Sequence, residues 1–96
     1  MSTLPAPGEV RHNPAEHRFE IAIEGKLCVA DYTRRDREMI ITHTFVPPDL
    51  RGRGLAAQVV RAALEHASAE RLRVVPKCSY VDAFIQRHAE FRPLLA

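Results

Sequence analysis

The chain has 96 residues, a formal net charge of +2 and only two cysteines, Cys28 and Cys78. That length supports one domain with a modest core, marginally stable without a ligand or partner. No apolar run approaches the roughly twenty residues of a membrane span, nothing resembles a signal peptide, and neither cysteine belongs to a Cys-x-x-Cys pair, so no membrane, disulfide framework or metal site is expected, and a reduced, cytoplasmic protein is.

Residues 1–17 carry Pro5, Pro7, Gly8 and Pro14 among scattered charges with no apolar period. They read as a disordered or loosely attached leader, leaving residues 18–96 as the single domain. Structure is expected to start at Arg18 to Ile23, where Phe19, Ile21 and Ile23 alternate onto one face of a half-buried strand. Glu24-Gly25-Lys26 is a hairpin turn, Leu27 to Thr33 a second strand, and residues 34–37 the next turn. The third strand, Glu38 to Val46, places Met39, Ile41, His43 and Phe45 on one face. Both its faces are largely apolar, which suits a central position.

Pro47 to Ala56 follows, and the rest of the chain is organised around it. Gly52 and Gly54 allow positive φ and a close approach of backbone to ligand. Directly after them Leu55 to Glu70 has an apolar stripe at helical spacing, Ala56, Val59, Val60, Ala63, Leu64 and Ala67. A concave run of amides at a helix N-terminus suits an anion, above all a phosphate, and Arg51 and Arg53 add formal charge. Hydrogen bonds to charged groups contribute roughly 1.5 to 3 kcal/mol each, enough for four or five to hold a pyrophosphate. A tight strand-to-helix turn beside two solvated arginines is the plainer reading.

Charge follows the same pattern. Residues 1–50 carry 6 basic and 8 acidic side chains, residues 51–77 carry 6 and 2, and residues 78–96 carry 2 and 2. Positive charge therefore gathers at the glycine loop, as a polyanionic ligand requires. No nucleic-acid recognition motif or aromatic interleaving accompanies it, so no nucleic acid is expected. Gly52 to Ala57 also fits the dinucleotide fingerprint, but the loop stands five residues beyond Val46, no acidic residue ends the next strand, and too little chain remains for further parallel strands.

Leu72 to Pro76 reads as a short buried strand, parallel to the third because a helix separates them. Ser79 with Asp82 suggests a capping box opening a second helix, Tyr80 to His88, with Val81, Phe84, Ile85 and His88 on its apolar face. Phe91, Pro93, Leu94 and Leu95 are placed to cover an apolar edge. The fold expected is a compact α/β (α+β) domain: an antiparallel three-strand meander, a crossover helix, one parallel strand and a C-terminal helix.

Arg51, Gly54 and Ala56 also give Arg-x-x-Gly-x-Ala. With residues 42–47 before it and Val75-Pro76-Lys77-Cys78-Ser79-Tyr80 after it, the chain resembles the very short branch of the GNAT superfamily of N-acetyltransferases over about residues 17–95. That resemblance implies acetyl transfer from acetyl-coenzyme A to an amine. It assigns the coenzyme to Phe45, Val46, Arg51, Gly52, Arg53, Gly54, Leu55 and Ala56, with the pantetheine arm added like a strand where two strands diverge. The acceptor is open, a protein amine or a polyamine, and a monomer or weak homodimer is expected.

Cys78 follows Lys77 and precedes a helix N-terminus, so a cation and a helix dipole would both favour its thiolate. In the short branch a cysteine here is the proposed catalytic residue, which implies an acetyl-cysteine intermediate; packing at a strand end is the alternative. His43 is a candidate base and Tyr80 a candidate proton donor. The resemblance also has departures. Aligning Cys78 with the asparagine of the family's Asn-x-x-Ala-x-x-x-Tyr pattern puts Ile85 where the acidic tyrosine stands, and the extra elements that wall the acceptor site in larger members are missing. A coenzyme A binding or sensing module without catalysis is the runner-up.

Overall fold

Alternation of apolar and polar residues builds a five-stranded sheet in the computed structural model, which describes residues 8–96. Its strands are β1 (Val10–Asn13), β2 (Arg18–Ile23), β3 (Lys26–Arg35), β4 (Glu38–Phe45) and β5 (Arg73–Pro76). They lie side by side in chain order. The first three neighbouring pairs are antiparallel, whereas β4 and β5 are parallel. Two helices complete the domain, α1 (Leu55–Ala69) between β4 and β5, and α2 (Ser79–Arg87) after β5.

The leader needs correction. Its first seven positions lie outside the described residues, but from Val10 onward it forms β1, which extends the expected meander to four strands. Val10 pairs with Ile21 and His12 with Phe19, and the His12 ring stacks on Phe19 with centroids 4.2 Å apart. Four residues are too few to show a period. Asn13 and Pro14 then turn the chain, the Asn13 side chain accepting the Glu16 amide at 3.3 Å. The structure also lengthens β3 to Arg35, so the following turn shrinks.

Beneath the sheet, α1 packs across all five strands with Leu55, Val59, Val60, Ala63, Leu64 and Ala67 buried. Its alanines are strong helix formers. The helix stops where Arg71 takes a left-handed conformation at φ 56°. There the Leu72 amide reaches back to the Ala67 carbonyl at 2.8 Å and the Arg71 amide to Ser68 at 3.2 Å, which satisfies carbonyls the helix leaves open.

Helix α2 lies beside α1, with Val81, Phe84 and Ile85 buried. The Arg61 guanidinium sits over Phe84 and Phe91, 5.6 and 5.3 Å from the ring centroids, and pairs with Glu90 at 3.6 Å. The expected capping box does not form. Cys78, in extended conformation, is the residue ahead of the helix, Ser79 is its first residue, and the Asp82 amide donates to the Cys78 carbonyl at 3.1 Å. Finally the tail closes the β5 edge, as Leu95 bridges Val74 and the Ala96 amide donates to the Val74 carbonyl at 3.0 Å. Arg73 holds that tail through the Pro93 and Leu95 carbonyls.

Candidate active site

The site begins with a defect in β4. Asp31 pairs with His43 but Tyr32 pairs with Ile41, so Thr42 is an extra residue, a β-bulge, and its hydroxyl donates to the Asp31 carbonyl at 3.4 Å. Side-chain alternation resets at that point. Met39 and Ile41 are fully buried, and beyond the bulge Thr44 and Val46 take their side of the strand. His43 and Phe45 turn to the open face, exposed and stacked with ring centroids 6.3 Å apart.

The bulge also separates the strands. Pairing of β4 with β5 runs from Glu38 to Ile41, and the Lys77 and Cys78 amides both close on the Ile41 carbonyl at 3.0 and 3.2 Å. Past that point the two chains diverge, and a cleft of about 390 Å³ opens. One wall is Thr44, Phe45 and Val46 from the end of β4, another is the loop and first turn of α1, and Tyr80 of α2 stands opposite.

The loop is built as its glycines require. Pro48–Leu50 forms a short 3-10 turn with Leu50 fully buried as an anchor. Gly52 and Gly54 have φ of 84° and 76°, where a side chain is strained. Gly54 directly precedes α1, and the first intrahelical bond is from the Gln58 amide to its carbonyl at 3.2 Å. The Leu55, Ala56 and Ala57 amides therefore lie ahead of that bond, at the positive end of the helix dipole, in residues that line the cleft. A Cβ added at either glycine would meet nothing within 4 Å, so the space over the backbone is open. This is the donor set a phosphate group needs.

The arginines differ from expectation. Arg51 lines the cleft, but its Nε donates to the Val46 carbonyl at 2.9 Å and so braces the loop against the end of β4. Arg53 turns away to pair with Glu24 at 2.7 Å and is not part of the cleft wall. A second ion pair, Lys26 with Asp49, joins the same hairpin to the same loop. Solvent-exposed pairs of this kind contribute little individually; here they tie the β2–β3 turn to the cradle.

Cys78 is half-buried at the N-terminus of α2, and its Sγ lies 3.5 Å from the Thr44 hydroxyl. Burial opposes the thiolate, but the Thr44 hydroxyl and the polarity of nearby Val81, Tyr80 and Thr44 backbone groups outweigh it and bring the thiol below its ordinary range. Lys77, the cation expected to help, makes no contribution. Cys28 is the opposite case, fully buried with its thiol pushed up by desolvation. Tyr80 is 40% exposed, and burial of its hydroxyl region raises its pKa, so it keeps its proton at neutral pH.

The structure thus brings together Phe45, Val46, Arg51, Gly52, Gly54, Leu55, Ala56 and Tyr80 around one cleft, with Cys78 joined to it through Thr44. His43 and Arg53 fall outside. His43 is misplaced by strict alternation because a one-residue bulge carries no signature in a single sequence. Thr44 was missed for the same reason. Ile85, which the resemblance aligns with an acidic tyrosine, is fully buried and supplies no acid. Among the described residues no group of three His, Cys, Asp or Glu side chains converges to hold a metal.

Comparison with known proteins agrees with this fold. The model of the GCN5-related N-acetyl-transferase family matches residues 18–94. Protein NATD1 of Bos taurus is 29% identical over 86 residues, covering 85% of this chain and 75% of its own, and Protein NATD1 of Homo sapiens is 27% identical with the same coverage. The solution structure of a GCN5-like N-acetyltransferase candidate from Staphylococcus aureus superposes with a TM-score of 0.75 at 23% identity, over 96% of this chain and 91% of that one. That likeness shows the fold.

Proposed function

The chain belongs to the GCN5-related N-acetyltransferase family, and from that premise we propose that it binds acetyl-coenzyme A in the cleft and transfers the acetyl group to an amine by way of Cys78. The observation that carries this reading is one cleft walled by the residues whose amides precede the first intrahelical bond of α1, with a thiol in contact with it through Thr44. The amides of Leu55, Ala56 and Ala57, with those of the glycine loop, would hold the diphosphate of the donor. The β4 backbone from Thr44 to Val46 would lie along its pantetheine arm.

The chemistry asked of the chain is then short. As thiolate, Cys78 attacks the thioester carbonyl: the Sγ–carbon bond forms, the carbon–sulfur bond to the donor breaks, and its electron pair departs on the coenzyme sulfur. Tyr80, protonated and in the cleft wall, supplies the proton that sulfur takes, and solvent replaces it. An unprotonated amine next attacks the acetyl-cysteine. The nitrogen–carbon bond forms, the Sγ–carbon bond breaks, the electron pair returns to Cys78, and the amine proton passes to solvent. The cleft is open, which suits an acceptor of any size, a protein amine or a polyamine.

Intact-protein mass spectrometry after exposure to acetyl-coenzyme A tests this. One acetyl increment should appear on Cys78 and leave when an amine is added, while Cys78→Ala should gain none and still bind the donor. If Cys78→Ala acetylates the amine at an unchanged rate, transfer is direct. A second reading, coenzyme A binding without catalysis, rests on the burial of Ile85 where the resemblance places an acidic tyrosine; it predicts binding with neither increment nor turnover.

A further inference from the structure

We infer that Thr44 is the positioning residue for Cys78, its hydroxyl donating to Sγ so that the sulfur is held beside the β4 wall of the cleft. The inference deepens the reading above, yet its test needs no coenzyme. Thr44 lines the cleft and lies 3.5 Å from Sγ. Its presence there is a product of the bulge at Thr42. With unbroken alternation from Met39 and Ile41, the imidazole of His43 would take this side of β4 and Thr44 would face the open side. One inserted residue exchanges a titratable neighbour for a neutral donor.

The residue type fits the task. A β-branched side chain in a strand has a restricted χ1, so its hydroxyl direction is fixed by the backbone. Thr44 pairs with Ala30, which is almost fully buried, and this anchors its strand position. Cys78 is the residue ahead of α2, so its Sγ lies by the open amides of the first α2 turn without a side-chain capping bond to them. Those amides come from one side. Thr44, from β4, brings its hydroxyl from the other. Ionisable groups nearby are Lys77 and Tyr80 along the same segment, Asp82 in the first turn of α2 and His43 beside Thr44 on β4; none of them enters the balance at Sγ.

The hydrogen bond has two possible directions, and they predict opposite outcomes. If Thr44 donates, the anion is favoured. If the thiol donates, the neutral form is favoured. The test is the pH dependence of iodoacetamide alkylation at Cys78 in the full chain, with peptide mapping to separate it from Cys28. For Thr44→Val, nearly isosteric and suited to a strand, the midpoint should move up and alkylation at pH 7 should slow roughly three- to tenfold, the scale of one ordinary intramolecular hydrogen bond. Thr44→Ala should do the same, and Thr44→Ser should restore most of the wild-type profile. An unchanged or lowered midpoint in Thr44→Val, or a Thr44→Ser profile displaced as far as that of Thr44→Val, overturns the inference. A shifted midpoint in a protein that never takes up acetyl would support it while removing the enzymatic reading.

Discussion

At the scale of single residues, Gly54 sets the entry to the cradle. Its φ of 76° lies in the left-handed region, and a Cβ there meets no neighbour within 4 Å. The cost of Gly54→Ala is therefore conformational only, and the folding free energy should fall by about 1 to 2 kcal/mol. Asparagine visits this region more readily, so Gly54→Asn should lose less. Urea unfolding would measure both; equal stability of Gly54→Ala and wild type would mean that the loop has another conformation. Both glycines could be read from the sequence because glycine spacing reports backbone need directly. The roles of Arg51 and Arg53 could not, because their partners, the Val46 carbonyl and Glu24, depend on how the loop and the β2–β3 turn dock.

At the scale of elements, periodicity marked β2, β4, α1 and α2 to within a few residues, since each buries one face. It failed at β1, which has four residues and takes its stability from a neighbour. His12 joins β1 to the core: its Nε2 lies 2.6 Å from the Tyr32 hydroxyl, and its ring is 4.5 Å from that of His66 at the end of α1. Desolvation, then the charge of His66, lowers the His12 pKa. The unfolded chain thus binds this proton more readily than the folded one. Stability conferred by neutral His12 is complete above the ordinary histidine value of about 6.5 and is lost as pH falls toward the lower folded value. Melting temperature should drop from pH 7 to pH 5, and His12→Gln should flatten that slope. An equal slope in the variant would place the acid sensitivity elsewhere.

Across the whole molecule, the Cα radius of gyration of 12.9 Å is that of a single compact domain of this length, about 13 Å for 100 residues. The surplus of positive charge in residues 51–77 was legible from composition, but much of it is committed within the fold. Arg53 pairs with Glu24, Arg61 with Glu90, and Arg73 holds the C-terminal carbonyls. In the proposed reading anion binding therefore falls chiefly to the backbone amides at the start of α1. The sequence thus indicated where the cleft lies, and the structure adds which groups line it. A ligand that binds only the folded state stabilises it by about 2.7 kcal/mol at a hundredfold excess over its Kd. For a domain of this size that is roughly 10 °C or more.

Calorimetric titration of the full chain with acetyl-coenzyme A is the most direct measurement. Saturable binding of one molecule per chain at micromolar concentration is expected, weakened in Gly54→Ala beyond its loss of stability. No heat and no thermal protection at millimolar acetyl-coenzyme A would contradict the account.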